Sequence, residues 1–370
     1  MPNQVTKSLS GNIQVLSANG LSTFVDDSDG LLKIKDTNGV VQPITDYTGG
    51  GGGGGIIVQG TGTCSAVRCG VINTASGSCS ASLSGTNNSA LGSFSFVGGG
   101  LNNCAIGDGT SVVSGSCNMA FTQGSFVGGG QCNCAIGFYA TIGGGSENCT
   151  NSLYLATVGG GQGNKAMGRW STIAGGARNC SFGTYSAIVG GCLNTTCATN
   201  YGAIVGGFLN VACDYGFVAN GRQSTASGYG FVGNGNSNLA LGSFSAIVNG
   251  RANCITSSGT HSQIIGGCSN TISAGYSSIL GGRCHTITGI CSTIIGGRIN
   301  TATNENTLAF GRQSNATGGS STAIGYVNNA SGTGSVVFGY CNTASGGYSG
   351  VSSGNLNKAI GTYSSVVGGF

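Results

Sequence analysis

Beyond its first 46 residues the chain carries four carboxylates, Asp108, Glu147, Asp214 and Glu305. Cleaving a glycan takes two carboxyl groups about 5–10 Å apart, one to protonate the leaving oxygen and one to attack or to activate water. Asp108 and Glu147 are the nearest pair along the chain and are still far separated, so hydrolase chemistry is not expected. Metal ligation fares no better. Cys132-Asn133-Cys134 is too tight for a zinc knuckle, and His261 and His285 lack partners at ligand spacing. The chain reads as non-enzymatic, with no cofactor and no metal.

The 17 cysteines are scattered rather than set as a compact disulfide framework. The start, from Met1 to Ser8, has no apolar stretch of signal-peptide length, so mostly reduced thiols are expected. Cys104, Cys134, Cys149, Cys180 and Cys254 each follow an asparagine. Cys134 and Cys149 fall within reach of a disulfide, but the preferred reading is a small hydrophobe in a tight slot.

Two stripes could meet a ligand. Aromatic residues recur at one position, at Trp170, Tyr185, Tyr201, Tyr215, Tyr229 and Phe244. They would either stack sugars or pack on one another and fill a face between subunits, and packing is the expectation. Arginine follows a recurring glycine at Arg222, Arg251, Arg283, Arg298 and Arg312. An anionic envelope polymer would fit such a row, but a solvated edge is preferred. His285 takes an asparagine position as a hydrogen-bonding substitute, and His261 takes an aromatic one.

What must position these residues is a repeat. A glycine returns at a mean spacing of about 15 residues from Gly70 to Gly369, which is the signature of a stacked solenoid. Gly100, Gly130, Gly145, Gly176, Gly191, Gly207, Gly282 and Gly297 stand at the corner where the chain turns sharply. Three residues later comes asparagine: Asn103, Asn118, Asn133, Asn148, Asn164, Asn179, Asn194 and Asn210. At the strand spacing of about 4.8 Å these amides would form a ladder along one edge. A small residue such as Ala105 follows, then a larger one such as Val112 or Ile173. Each rung thus holds two short strands alternating inward apolar and outward polar positions.

Composition agrees with this reading. Seventy-five glycines exclude helices. A net charge of +4 with only 6% charged residues leaves no nucleic-acid footprint. No apolar run long enough for membrane insertion occurs. Three segments are read: residues 1–48, an N-terminal β attachment module; residues 49–55, seven glycines as a flexible linker; and residues 56–370, the repeat. Within the first, residues 31–42 pattern as a hairpin turning at Asn38-Gly39.

The motif in Asn103-Cys104-Ala105-Ile106-Gly107, in Asn238-Leu239-Ala240-Leu241-Gly242-Ser243-Phe244-Ser245-Ala246-Ile247 and in Asn357-Lys358-Ala359-Ile360-Gly361 resembles the head repeats of trimeric autotransporter adhesins. The resemblance implies an all-β, left-handed parallel β-solenoid of about 20 rungs, a homotrimer, and a role in surface attachment. The leader-less start and glycine linker look more like a phage or viral fibre. The expectation is therefore a virion tail or capsid fibre, docked to other virion or appendage proteins through residues 1–48, with a host glycan or protein as receptor. The alternative is a bacterial surface adhesin or extracellular filament subunit. An ice- or mineral-binding solenoid would need regular Thr-x-Thr ranks, which the mixed Ser, Thr and Ala columns do not supply.

Overall fold

A computed structural model of the protein describes residues 57–68 and 72–369, preceded by five short strands. The chain divides into two compact units, Met1–Val58 and Gln59–Phe370. In the first, β1 (Val5–Lys7), β2 (Ile13–Leu16), β3 (Ser22–Val25), β4 (Leu32–Lys35) and β5 (Val41–Pro43) form an antiparallel sheet in sequence order. β4 and β5 pair with Ile34 opposite Gln42, as a hairpin over residues 31–42 requires. The Asn38-Gly39 turn, the glycines at 49–55 and Gly70 lie outside the described residues.

The second unit is an all-β parallel solenoid with no helix among the described residues. Each rung contributes two strands, and each strand pairs in parallel with its equivalent one rung on. Ala90 lies opposite Ala105 in one ladder, and Val97 opposite Val112 in the other. The first ladder holds 20 strands. Most are only two residues long, such as Cys104–Ala105 and Ser111–Val112, with the second residue buried. The alternation continues past the formal strand ends, so that Asn103, Ala105, Thr110 and Val112 all point inward and are solvent-inaccessible. The core is therefore a thin double column, mostly alanine on one side and mostly valine or isoleucine on the other, with Ile255, Ile272 and Ile287 in the first and Ala309 and Ala323 in the second.

Rung length varies, and the variation is localised. The two inward residues are seven apart in Ala105–Val112, eight in Thr196–Ile204, nine in Ile255–Ile264 and six in Ala212–Val218. The aromatic position stays three residues before the second of them throughout, at Tyr139, Tyr201, Tyr215 and His261. Insertions thus bulge out between the alanine position and the aromatic one, where no buried column is disturbed.

A second kind of shortening occurs near the C-terminal end. Gly297, Gly311, Gly325 and Gly339 are each 14 residues apart. There one residue is lost just before the corner, and the second strand runs through it. Leu308–Arg312, Thr322–Tyr326 and Val336–Tyr340 pair as longer strands, with Gly311 opposite Gly325 and Gly325 opposite Gly339.

Candidate functional site

The asparagine column is interior, not an edge ladder. Asn133 is fully buried. Its Nδ2 donates to the carbonyl oxygens of Gly129 in its own rung and Gly145 in the next, both at 2.9 Å. Its Oδ1 accepts the backbone N–H of Asn148 at 3.0 Å. The same pattern recurs at Asn103, Asn118, Asn148, Asn164, Asn179 and Asn194. Direct amide-to-amide bonds are fewer, as between Asn133 and Asn118 at 3.1 Å. The column satisfies two backbone groups that the sharp corner leaves without strand partners, here the Gly129 carbonyl and the Asn148 N–H. It also gives a second donor to the Gly145 carbonyl, which accepts the Gln131 N–H at 2.8 Å.

The corner glycine leaves no room for a side chain. Gly130 has φ +90°, and a Cβ there would overlap the Gly145 carbonyl oxygen and lie 2.8 Å from Asn133 Nδ2. Gly100, Gly145, Gly176, Gly191, Gly207, Gly282 and Gly297 stand likewise at positive φ, between +88° and +103°. The second recurring glycine has a different reason: a Cβ on Gly107 would lie 2.6 Å from the Thr122 carbonyl carbon.

Two further left-handed columns were not anticipated. One lies two residues past the corner glycine, as at Cys117, Cys132 and Glu147. The other is the aromatic column itself, with φ of +53° at Trp170, +57° at Tyr185 and +63° at Tyr215 and Tyr229. A non-glycine residue in this region is disfavoured by about 1–2 kcal/mol. Glycine occupies the same columns at Gly109, Gly124, Gly163 and Gly334, which is the signal that could have revealed them.

The aromatic column stacks face to face. Trp170, Tyr185, Tyr201, Tyr215, Tyr229, Phe244, His261 and Tyr276 form one unbroken series, with successive centroids 4.5–5.2 Å apart. Each pair contributes about 0.5–1.5 kcal/mol beyond burial, which offsets the left-handed backbone at each ring. The consequence for binding is direct. Sugar stacking needs a free ring face, and in the interior of this series both faces of every ring are taken by neighbours. Only ring edges are presented to solvent.

Arg222, Arg251, Arg283, Arg298 and Arg312 are exposed and share one register with Asn236 and Cys268. Arg283, Arg298 and Arg312 are immediate neighbours in that column. Arg312 lies over the Tyr326 ring, its Cζ 5.2 Å from the centroid, and Tyr326 stacks on Tyr340 at 4.7 Å.

The carboxylates are dispersed. Asp108 sits at the aromatic corner, where its Oδ1 accepts the Ser93 N–H at 2.9 Å; Glu147 sits at the glycine corner of a later rung. Among the described residues no three His, Cys, Asp or Glu side chains converge.

Residues 302–328 match the YadA head domain repeat, in two copies. Over these residues the solenoid is similar to YadA head repeats. The match coincides with the run of 14-residue rungs, where the second strand passes unbroken through the corner. The YadA repeat is a head repeat of trimeric autotransporter adhesins, and the matched rungs are similar to that adhesin-type repeat. A comparison with curated proteins found no match.

His285 occupies an asparagine slot in these repeats. Its N–H donates to Asn270 Oδ1 at 3.0 Å, and its Nδ1 accepts the Asn300 N–H at 3.1 Å. Burial pushes the imidazole below its ordinary value of 6.5. The unfolded chain therefore takes up the proton first, and stability is complete above pH 6.5 and declines as pH falls below it. Protonation also removes the Nδ1 acceptor. His285→Asn should abolish this component: its urea midpoint should fall less than that of the wild type between about pH 7.5 and about pH 5. Equal falls would contradict the assignment.

Fourteen cysteines among the described residues are free thiols, in line with the expectation of mostly reduced cysteines, and one pair is bridged. Cys197 and Cys213 form a disulfide between neighbouring rungs, with Cα atoms 4.9 Å apart. They occupy equivalent positions, so the bridge joins two turns rather than two distant segments. Cys134 and Cys149 are free thiols.

Proposed function

We propose that the protein is a non-enzymatic adhesin-type fibre, working at an extracellular or cell surface as a homotrimer. The supporting observation is the assignment of every inward column to turning, hydrogen bonding or filling, which leaves recognition to the outer faces. One outer row, at the position after the inward valine or isoleucine, is apolar and about half exposed at Val189, Val205, Val248, Ile265, Leu280 and Ile295. Such a row is suited to association of identical rods side by side. Its match to an adhesin head repeat supports the surface role.

The finer reading is a fibre of a phage or virus that attaches to a host surface and grips its particle through residues 1–48. What favours it is the separate antiparallel unit ahead of seven consecutive glycines. Immunogold labelling of intact producing cells and of particles from the same culture tests both. Gold on the outer surface of cells supports the adhesin, and gold on particles supports the particle fibre. Label confined to the cytosol overturns both.

A further inference from the structure

Cys134, Cys149 and Lys165 occupy one outward row on three successive rungs. Cys134 is in register with Cys149, and Cys149 with Lys165. Both cysteines are half-buried and free, and Lys165 is exposed. Among the described residues no other pair of free cysteines shares a strand register in this ladder, because Met119 separates Cys134 from Cys104 and Lys165 separates Cys149 from Cys180.

We propose that Cys149 is a thiol-exchange site that reacts with small-molecule disulfides and is then closed by Cys134 into a bridge between rungs. In-register parallel strands lie about 4.8 Å apart, inside the Cα separation that a disulfide spans. The Cys197–Cys213 bridge, at 4.9 Å, shows neighbouring rungs of this solenoid already joined in this way.

The chemistry of the pair divides the two roles. Cys134 and Lys165 flank Cys149 in the row, one on the rung before it and one on the rung after. Together they lower the Cys149 thiol to about 7 against burial, which opposes them. Cys134 is pushed upward by the neighbouring Cys149 and by burial, so it stays protonated while Cys149 ionises. Glu147, two residues before Cys149, stands in the left-handed column past the glycine corner, one rung on from Cys132.

In the first step the Cys149 thiolate attacks a disulfide R–S–S–R. A protein mixed disulfide forms, and RS⁻ leaves and takes a proton from solvent. In the second, Cys134 loses its proton and attacks the Cys149 sulfur, expelling the second RS⁻, which is protonated in turn. Two protein thiols are oxidised to one disulfide while one small disulfide is reduced to two thiols.

The test uses the full chain with iodoacetamide and with oxidised glutathione, read by peptide mass mapping. Near neutral pH, a thiol at about 7 rather than about 9 carries roughly fifty-fold more thiolate, while its lower basicity costs up to ten-fold in nucleophilicity. Cys149 should therefore alkylate at least about five-fold faster than Cys254, a same-row cysteine that burial holds above its ordinary value. Oxidised glutathione should link Cys134 to Cys149 in the wild type, and should leave one glutathione on Cys149 in Cys134→Ser. Lys165→Gln should move the pH midpoint of Cys149 labelling upward. Labelling of Cys149 no faster than Cys254, or a Cys149–glutathione adduct in the wild type that Cys134 never resolves, would overturn the proposal.

Discussion

Gly176→Ala is expected to cost about 2–5 kcal/mol, whereas Gly175→Ala, one residue earlier, should be neutral or stabilise by up to about 1 kcal/mol. The two glycines are adjacent in sequence and differ entirely in what surrounds them. Gly176 has φ +92°, and a Cβ there would overlap the Gly191 carbonyl oxygen and sit 2.6 Å from Asn179 Nδ2. Backbone and a buried amide cannot step aside as a surface side chain can, so the rung itself must shift. Gly175 is not at positive φ, and a Cβ there meets nothing within 4 Å. Alanine at that position chiefly restricts the unfolded chain. Urea unfolding of the two variants, with hydrogen exchange resolved over residues 161–191, reads both effects. Similar destabilisation by the two substitutions would refute the close-packed corner.

Asn133 variants should rank Asn, Ser, Ala, Asp in falling stability, with Asn133→Ala about 2–6 kcal/mol below wild type. Truncation leaves the Asn148 N–H without its acceptor and the Gly129 carbonyl without its donor, while the Gly145 carbonyl keeps the Gln131 N–H. Each group stranded in the dry interior costs about 1–3 kcal/mol. Serine keeps part of the network, as native Ser224 does by accepting the Asn238 N–H at 3.3 Å. Aspartate keeps the acceptor but places a charge in a fully buried slot facing two carbonyl oxygens. Because each rung contacts only its neighbours, loss is expected to centre on residues 118–161 rather than spread along the chain. Hydrogen exchange uniform along the solenoid after Asn133→Ala would rule out that account.

Much of the architecture was legible because it is written in one dimension. A fixed glycine period means one rung copied onto the next, and alternation around Ala105 and Val112 tells which side faces inward. The site was less legible. The aromatic stripe showed as a spacing, but spacing cannot distinguish rings whose faces are open from rings that cover one another. The arginine row likewise showed as a recurrence, while its register with Asn236 and Cys268 is a property of strand pairing. The asparagine column was placed on an edge because polar side chains ordinarily seek water. It lies inside because the glycine corners strand backbone groups there, and an amide can both donate and accept.

By itself, the sequence determined the parallel β-solenoid, its period and its inward columns, because a residue's place in a periodic stack follows from its phase alone. Only the tertiary structure decided the left-handed backbone beneath the aromatic stack and the Cys197–Cys213 bridge. Each of these depends on which residues of successive rungs come into contact, and in rungs of 14 to 17 residues that register is settled by packing between turns, not by counting along the chain.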